Sequence, residues 1–191
     1  MKRLLLLASV CAASAHAQAG RVRVTIETSL GRIEAELDSA RAPGTVTNFL
    51  RYVDAHAYEG GRFHRTVTMA NQPNNAVKIE VIQAGPAPEK ASNAYPPIPL
   101  ERTSITGLHH EDGALSMARG GPDTATGDFF ICIGRQPELD FGGKRNADGQ
   151  GFAAFGRVTN GMDVVRKIQT SAVEAQRLTP PIMIVGITRR R

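Results

Sequence analysis

The sequence has no tryptophan, and aromatic residues make up only 5% of it. Proteins that hold single-stranded nucleic acid stack bases on aromatic platforms, so this composition argues against a nucleic-acid partner. Cysteine is nearly absent, with only Cys11 and Cys132 present. Cys11 falls in an N-terminal segment expected to be removed, and a single remaining thiol excludes an internal disulfide. Cys132 lies in the apolar run "FFICI", the setting of a small buried hydrophobe rather than a reactive thiol. No apolar run reaches the roughly 20 residues needed to span a bilayer, so stable membrane insertion is not expected. The formal charge of +5 is mild, and the terminal "TRRR" reads as a solvated tail rather than a polyanion-binding patch. Also missing are a phosphate loop, Cys/His zinc spacing and a Ser/His/Asp set with consistent placement.

What is present begins with "MKRLLLLASVCAASAHA". Lys2 and Arg3 form a basic head, Leu4 to Ala13 a short apolar run, and Ala15-His16-Ala17 a small-residue cleavage site. This is the layout of a secretory signal peptide over residues 1–17. It leaves a domain of residues 18–191, expected to be periplasmic or secreted. Lipoprotein processing at Cys11 is the alternative, but Val10 stands before it where a small residue is expected.

Beyond the leader, "RVRVTIETSLGRIEAELD" alternates apolar and polar residues on both sides of Ser29-Leu30-Gly31, a hairpin pattern. From Pro43 the spacing turns helical, with Val46, Phe49, Leu50 and Val53 on one face and Gly60-Gly61 as the stop. "RFHRTV", "VKIEVIQAG", "ALSMA", "DFFICIG", "FAAFGRV" and "PPIMIVGIT" read as strands, the second with Val77, Ile79 and Val81 on one face. "TMANQPNNA" and "KRNADGQG" read as loops, a short strand is expected near "IPLE", and "NGMDVVRKIQTSA" reads as a helix with Met162, Val165 and Ile168 inward. About eight strands, two separated helices and no strand–helix–strand rhythm argue against a parallel sheet. The expected fold is mainly β: a closed eight-stranded antiparallel barrel capped by two helices, since closure leaves no edge exposed.

Arg65 closes the "RFHR" segment as a permanent cation, a fixed hydrogen-bond donor that cannot serve as a base. Gln83 lies on a second strand, on the face of Val81, and Phe130 on a third. Together with "LSMARGGPDTATGDFFICIG", the "LD" at Leu139-Asp140 and "FAAFGRVTNGMDVVRKI", these residues resemble the cyclophilin family of peptidyl-prolyl cis-trans isomerases. The resemblance runs in order from about Val22 to Ile187, and the exported form looks like a bacterial periplasmic cyclophilin. It implies an eight-stranded barrel with two helices, an X-Pro peptide substrate, and chemistry with no cofactor, no metal and no covalent intermediate. It assigns Arg65 to catalysis and Gln83 to the substrate backbone. Ala118, Arg119 and Gly120 would be a strand edge that pairs with the peptide, and Val81, Phe130, Leu139 and Phe152 would line the proline pocket. The implied partners are proline-containing segments of exported proteins, and a monomer is expected.

The pattern departs from the family in several places. Glu80 and Glu138 stand where aromatic residues are usual, Phe152 replaces a histidine or tyrosine, and Asp128 replaces a glutamine. Glu80 is expected either to pair with Arg65 or to point to water. An inserted segment separates "FHR" from "IQAG", so Gln72 competes with Gln83 for the glutamine role; the strand-like alternation around Gln83 favours it. His64 is expected as a structural histidine inside the barrel, and Arg119 as a groove contact or a solvated strand end. The two glutamates favour a rival reading, a catalytically weak or inactive peptide-binding or chaperone module on the same barrel. A small-molecule carrier barrel is a third reading, which would need a hollow interior.

Overall fold

Alternation dictates the first hairpin: β1 (Arg21–Thr28) and β2 (Gly31–Asp38) pair antiparallel around a two-residue turn, with Val24, Ile26, Ile33, Ala35 and Leu37 buried on one side. The computed structural model describes residues 20–90 and 95–190; the signal-peptide reading of residues 1–17 lies outside the described residues. The remaining strands are β3 (Arg62–Val67), β4 (Val81–Gly85), β5 (Ala114–Met117), β6 (Phe129–Cys132), β7 (Ala154–Asn160), β8 (Val173–Glu174) and β9 (Arg177–Arg189). They run in the order β1-β2-β7-β5-β6-β4-β3-β9, and β9 returns to β1, so the eight-stranded antiparallel barrel closes. The two-residue β8 is a hairpin appended to β9.

The helices are α1 (Pro43–Asp54), α2 (Thr103–Thr106) and α3 (Met162–Gln169). At one end of the barrel, Phe49 of α1 meets Phe129 and Phe155. At the other, α3 lies beside the start of β2, and its Gln169 bonds Glu80 just before β4. The interior is packed solid, with Phe63, Ile82, Leu115, Met117, Phe129, Ile131 and Phe155 fully enclosed. The first turn of α1 carries no side-chain cap of its own. Glu101, far along the chain, supplies it: its carboxylate accepts from Gly44 N at 3.0 Å and Thr45 N at 2.7 Å. An acid at this end also suits the partial positive charge of a helix N-terminus.

Several expectations need correction. The helix from Pro43 ends at Asp54, and β4 starts at Val81 rather than Val77. The reason for the late start is Gln72: its amide donates to Ile79 O at 2.7 Å and accepts from Ile79 N at 3.3 Å, occupying the backbone groups a longer ladder would use. The strand near "IPLE" reduces to one bridge, Ile98 to Ala125, and the short α2 was not anticipated.

The polar interruption between β5 and β6 is firmly tied down. Asp123 accepts from Leu100 N, Asn48 donates to Thr126 O and the Tyr58 hydroxyl to Gly127 O. A Cβ at Gly127 would stand 2.7 Å from Tyr52 and 2.8 Å from Pro86, so only glycine fits that close approach. Phe129, the first residue of β6, meets Phe49, Tyr58 and Phe63 edge-on. Phe129→Ala would leave a cavity at this junction and is expected to lower stability by about 3–5 kcal/mol, measured as a shift of the urea midpoint at unchanged slope.

Candidate active site

Side chains two apart on a strand share a face, so Arg65 would follow the buried Phe63 inward. A β-bulge between Phe63 and Arg65 absorbs one residue, His64, and turns Arg65 to the outer surface. Arg65 then stands in register with Gln83, Gln83 with Phe130, and Phe130 with Ser116. One row thus crosses β3, β4, β6 and β5. Beside it lies an apolar cluster outside the main core: Val67, Ile79, Val81, Phe130, Cys132 and Leu139, with Ala118 and Phe152 against it.

The Arg65 guanidinium is half-buried and held by two amides. Nη1 donates to Gln83 Oε1 at 3.0 Å; Nε and Nη2 donate to Gln176 Oε1 at 3.0 and 2.6 Å. A guanidinium carries one N–H on Nε and two on each terminal nitrogen, so one hydrogen on each terminal nitrogen is left for a ligand. Among the described residues no carboxylate forms an ion pair with Arg65. Burial, and then the charge of Arg145, pull its pKa below the usual arginine range. Glu80 does not reach Arg65: its carboxylate accepts from Gln169 at 3.1 Å on the other side of the strand. Gln176, in the β8–β9 turn, carried no signal in the sequence; only the pairing of β9 with β3 brings it here.

The structure separates the two candidate glutamines. Gln83 stands beside Arg65, whereas Gln72 is buried in the inserted loop and spends its amide on Thr68, Ile79 and Arg145. Val81, Phe130, Leu139 and Phe152 come together, with Phe130 and Phe152 edge-on at 5.4 Å between centroids. Ala118 and Gly120 flank the row at the β5 end, where Ala118 N bonds Asp128 O and Gly120 N bonds Thr124. Arg119 is neither a free groove contact nor solvated. Its side chain is 1% exposed, pairs with both Asp148 oxygens at 2.8 and 3.0 Å, donates to Gly151 O and lies over the Phe152 ring. It fixes the 141–151 loop and braces Phe152. His64 is not inside the barrel; it sits at the bulge, 3.9 Å from Asp128. Glu138 is half-buried, and its carboxylate accepts from Lys144 N at 2.8 Å.

A Ser/His/Asp alignment, not foreseen in the sequence, lies beneath Phe130. Asp140 Oδ1 is 2.6 Å from His110 Nδ1, and His110 Nε2 is 2.9 Å from Ser116 Oγ. His110 and Ser116 are both buried, and the imidazole stacks on Phe130 at 5.9 Å. A hydroxyl so enclosed has no access to an acyl substrate. The alignment instead supports Phe130 from below and ties Asp140, next to Leu139, to β5. His110 and Ser116 stand six positions apart and Asp140 thirty from His110, a spacing that did not announce the alignment. Cys132 is buried, and burial pushes its thiol well above the ordinary range.

Two carboxyls here respond oppositely to the fold. Burial raises Asp128 above the ordinary carboxylate range, against the opposing effects of His64 and the bond from Gln83 at 3.4 Å. Burial acts the same way on Asp140, but hydrogen bonds from His110 and His109 outweigh it, and the net shift is downward. A carboxyl lowered by folding stabilises the protein above its unfolded-state pKa and loses that contribution as pH falls; a raised one does so in acid and loses it as pH rises. Asp140→Asn is therefore expected to destabilise at neutral pH, by about 1.5–3 kcal/mol for bonds to a charged group, and to flatten the acid limb of the stability curve. Asp128→Asn should raise the neutral-pH midpoint and leave the acid midpoint nearly unchanged. Thermal unfolding across pH reads both.

A family model described as "Cyclophilin type peptidyl-prolyl cis-trans isomerase/CLD" matches residues 23–189. The chain is 34% identical over 193 residues to a peptidyl-prolyl cis-trans isomerase of Acinetobacter baylyi, covering 98% of this chain and 95% of the relative. It is 36% identical over 147 residues to peptidyl-prolyl cis-trans isomerase cyp18 of Streptomyces antibioticus, covering 76% and 82% respectively. A crystal structure of a cyclophilin type peptidyl-prolyl cis-trans isomerase from Cryptosporidium parvum has the same fold, with a TM-score of 0.72 at 21% identity over 90% of this chain and 98% of that one. With the closed barrel and the outward arginine row already in place, the match across nearly the whole described chain settles its membership: it belongs to the cyclophilin family of peptidyl-prolyl cis-trans isomerases.

Proposed function

We propose that this chain accelerates rotation about X-Pro bonds in segments of exported proteins, working in the periplasm after loss of residues 1–17. Amide resonance sets a rotation barrier of about 18–20 kcal/mol, while the two prolyl isomers differ by only about 0.5–1 kcal/mol. A catalyst must therefore bind the twisted bond better than either planar one. On twisting, the prolyl nitrogen regains a lone pair and becomes an acceptor. Arg65 is assigned the donor to that nitrogen. The proline ring rests against Phe130, Val81, Leu139 and Phe152, Gln83 meets the substrate backbone, and the Ala118–Gly120 edge takes the residues before the proline. The backbone of that edge, not the Arg119 side chain, makes this contact.

The observation that carries this reading is the posture of Arg65. Two neutral amides hold its guanidinium at the margin of the apolar cluster, with an N–H left free on each terminal nitrogen. Preorganised donors of this kind act without reorganising at the moment of reaction. Arg65→Ala is expected to lower kcat/KM on a short X-Pro peptide by roughly two to three orders of magnitude, the usual loss for one preorganised donor, with an unchanged far-UV spectrum. Arg65→Lys should also be poor, since one ammonium cannot satisfy both amides and the substrate. Line-shape or exchange NMR reads the rate directly. Peptide binding by the intact protein with exchange no faster than in buffer would favour the binding-module reading instead. For the location, the protein recovered from the cell envelope should begin at Gln18 by N-terminal sequencing.

A further inference from the structure

The inserted loop after β3 and the 141–151 loop meet beside Arg65. Gln176, which holds Arg65, also donates to Asn71 O at 3.1 Å. The next residue, Gln72, accepts from Arg145 Nη1 at 2.9 Å, and Val77 O accepts from the same nitrogen at 2.7 Å. Consecutive residues of one loop thus connect to two guanidiniums. Arg145 reaches this place from the other loop, anchored where its backbone N bonds Glu138 O, one residue before the pocket residue Leu139.

Among the described residues Arg145, like Arg65, has no carboxylate within ion-pair distance. The acids of the neighbourhood are engaged elsewhere: Glu138 with Lys144 N, Glu80 with Gln169, and Asp128 at the far end of Gln83. The Arg145 side chain is half-buried, which weakens solvent screening of its charge. Burial lowers its pKa, and its charge in turn lowers that of Arg65. Two cations close enough to affect one another, and neither neutralised, make a seat for an anion.

The row across the barrel gives that seat a position along the substrate. On the isomerase reading, residues before the proline lie at Ala118–Gly120, just past β5, the proline at Phe130, and the row of Phe130, Gln83 and Arg65 carries the following residues over β3 toward the two loops. We propose that Arg145 is a specificity-determining residue that favours substrates with an acidic side chain on the residue following the proline; this rests on the isomerase reading above.

The test uses the mature protein and three otherwise identical peptides, with Asp after the proline, Asn after the proline, or Asp before it. Exchange NMR gives kcat/KM for each. At low salt the Asp-after peptide is expected to exceed its Asn counterpart roughly three- to tenfold, the scale of one partly screened ion pair, and the advantage should shrink as salt rises. Arg145→Gln should bring the ratio near one, and Arg145→Lys should keep most of it. A loop merely loosened by substitution would slow both peptides together and leave their ratio intact, so a preserved ratio in Arg145→Gln overturns the proposal. Equal rates in the unaltered protein, or a larger advantage for Asp before the proline, overturn it too. If no peptide is turned over, the isomerase reading fails on its own, and the same comparison made in binding affinity by chemical-shift titration still decides the role of Arg145.

Discussion

Between Phe63 and Arg65 the register of β3 slips by one residue, and the outer surface of the barrel depends on that slip. Without it the alternation that buries Phe63 would also drive a guanidinium into a core of aromatic and aliphatic side chains. Burying an unpaired charge there is far too unfavourable for a marginally stable domain. The bulge reconciles two demands on one short strand, an apolar residue inward and a permanent cation outward. Its position also aligns Arg65 with Gln83 and Phe130 in one row.

How the cation is held matters as much as where. A carboxylate partner would satisfy Arg65 in the resting protein, and a substrate would have to displace it. Gln83 and Gln176 fix the direction of the guanidinium through their carbonyl oxygens and leave its charge uncancelled. The acids that could interfere are drawn off by other partners, Glu80 by α3 and Asp128 by Gln83. Support extends below and beside the row as well. His110 stacks under Phe130, and Arg119, locked on Asp148 and Gly151, braces Phe152.

The strands and two main helices were legible because each carries a clean period, of two in β1 and β2 and near 3.6 in α1 and α3. Arg65, Gln83 and Phe130 were legible because neighbouring strands set them side by side and the flanking motifs are specific. What escaped were contacts made by polar residues with no sequence pattern, some of them across long separations. Gln176 reaches Arg65 only because β9 pairs with β3, and Gln72 truncates β4 by taking over the backbone groups of Ile79. Asp140, His110 and Ser116 converge from three segments. Glu80 met neither of its two expectations, Arg65 or water: its carboxylate accepts from Gln169 of α3, while its neighbours Ile79 and Val81 join the outer cluster.

The cap that Glu101 places on α1 has a consequence for the order of assembly. The donors it satisfies, Gly44 N and Thr45 N, precede it by 57 and 56 positions. An isolated helix of this length is marginal in water, and here its opening turn lacks its acceptors until a distant connection has found its place. Helix completion is thereby coupled to docking of the loop ahead of α2, and loop-closure entropy falls on the same step that finishes the helix. The opening turn of α1 is therefore complete only when the segment carrying Glu101 has docked against it.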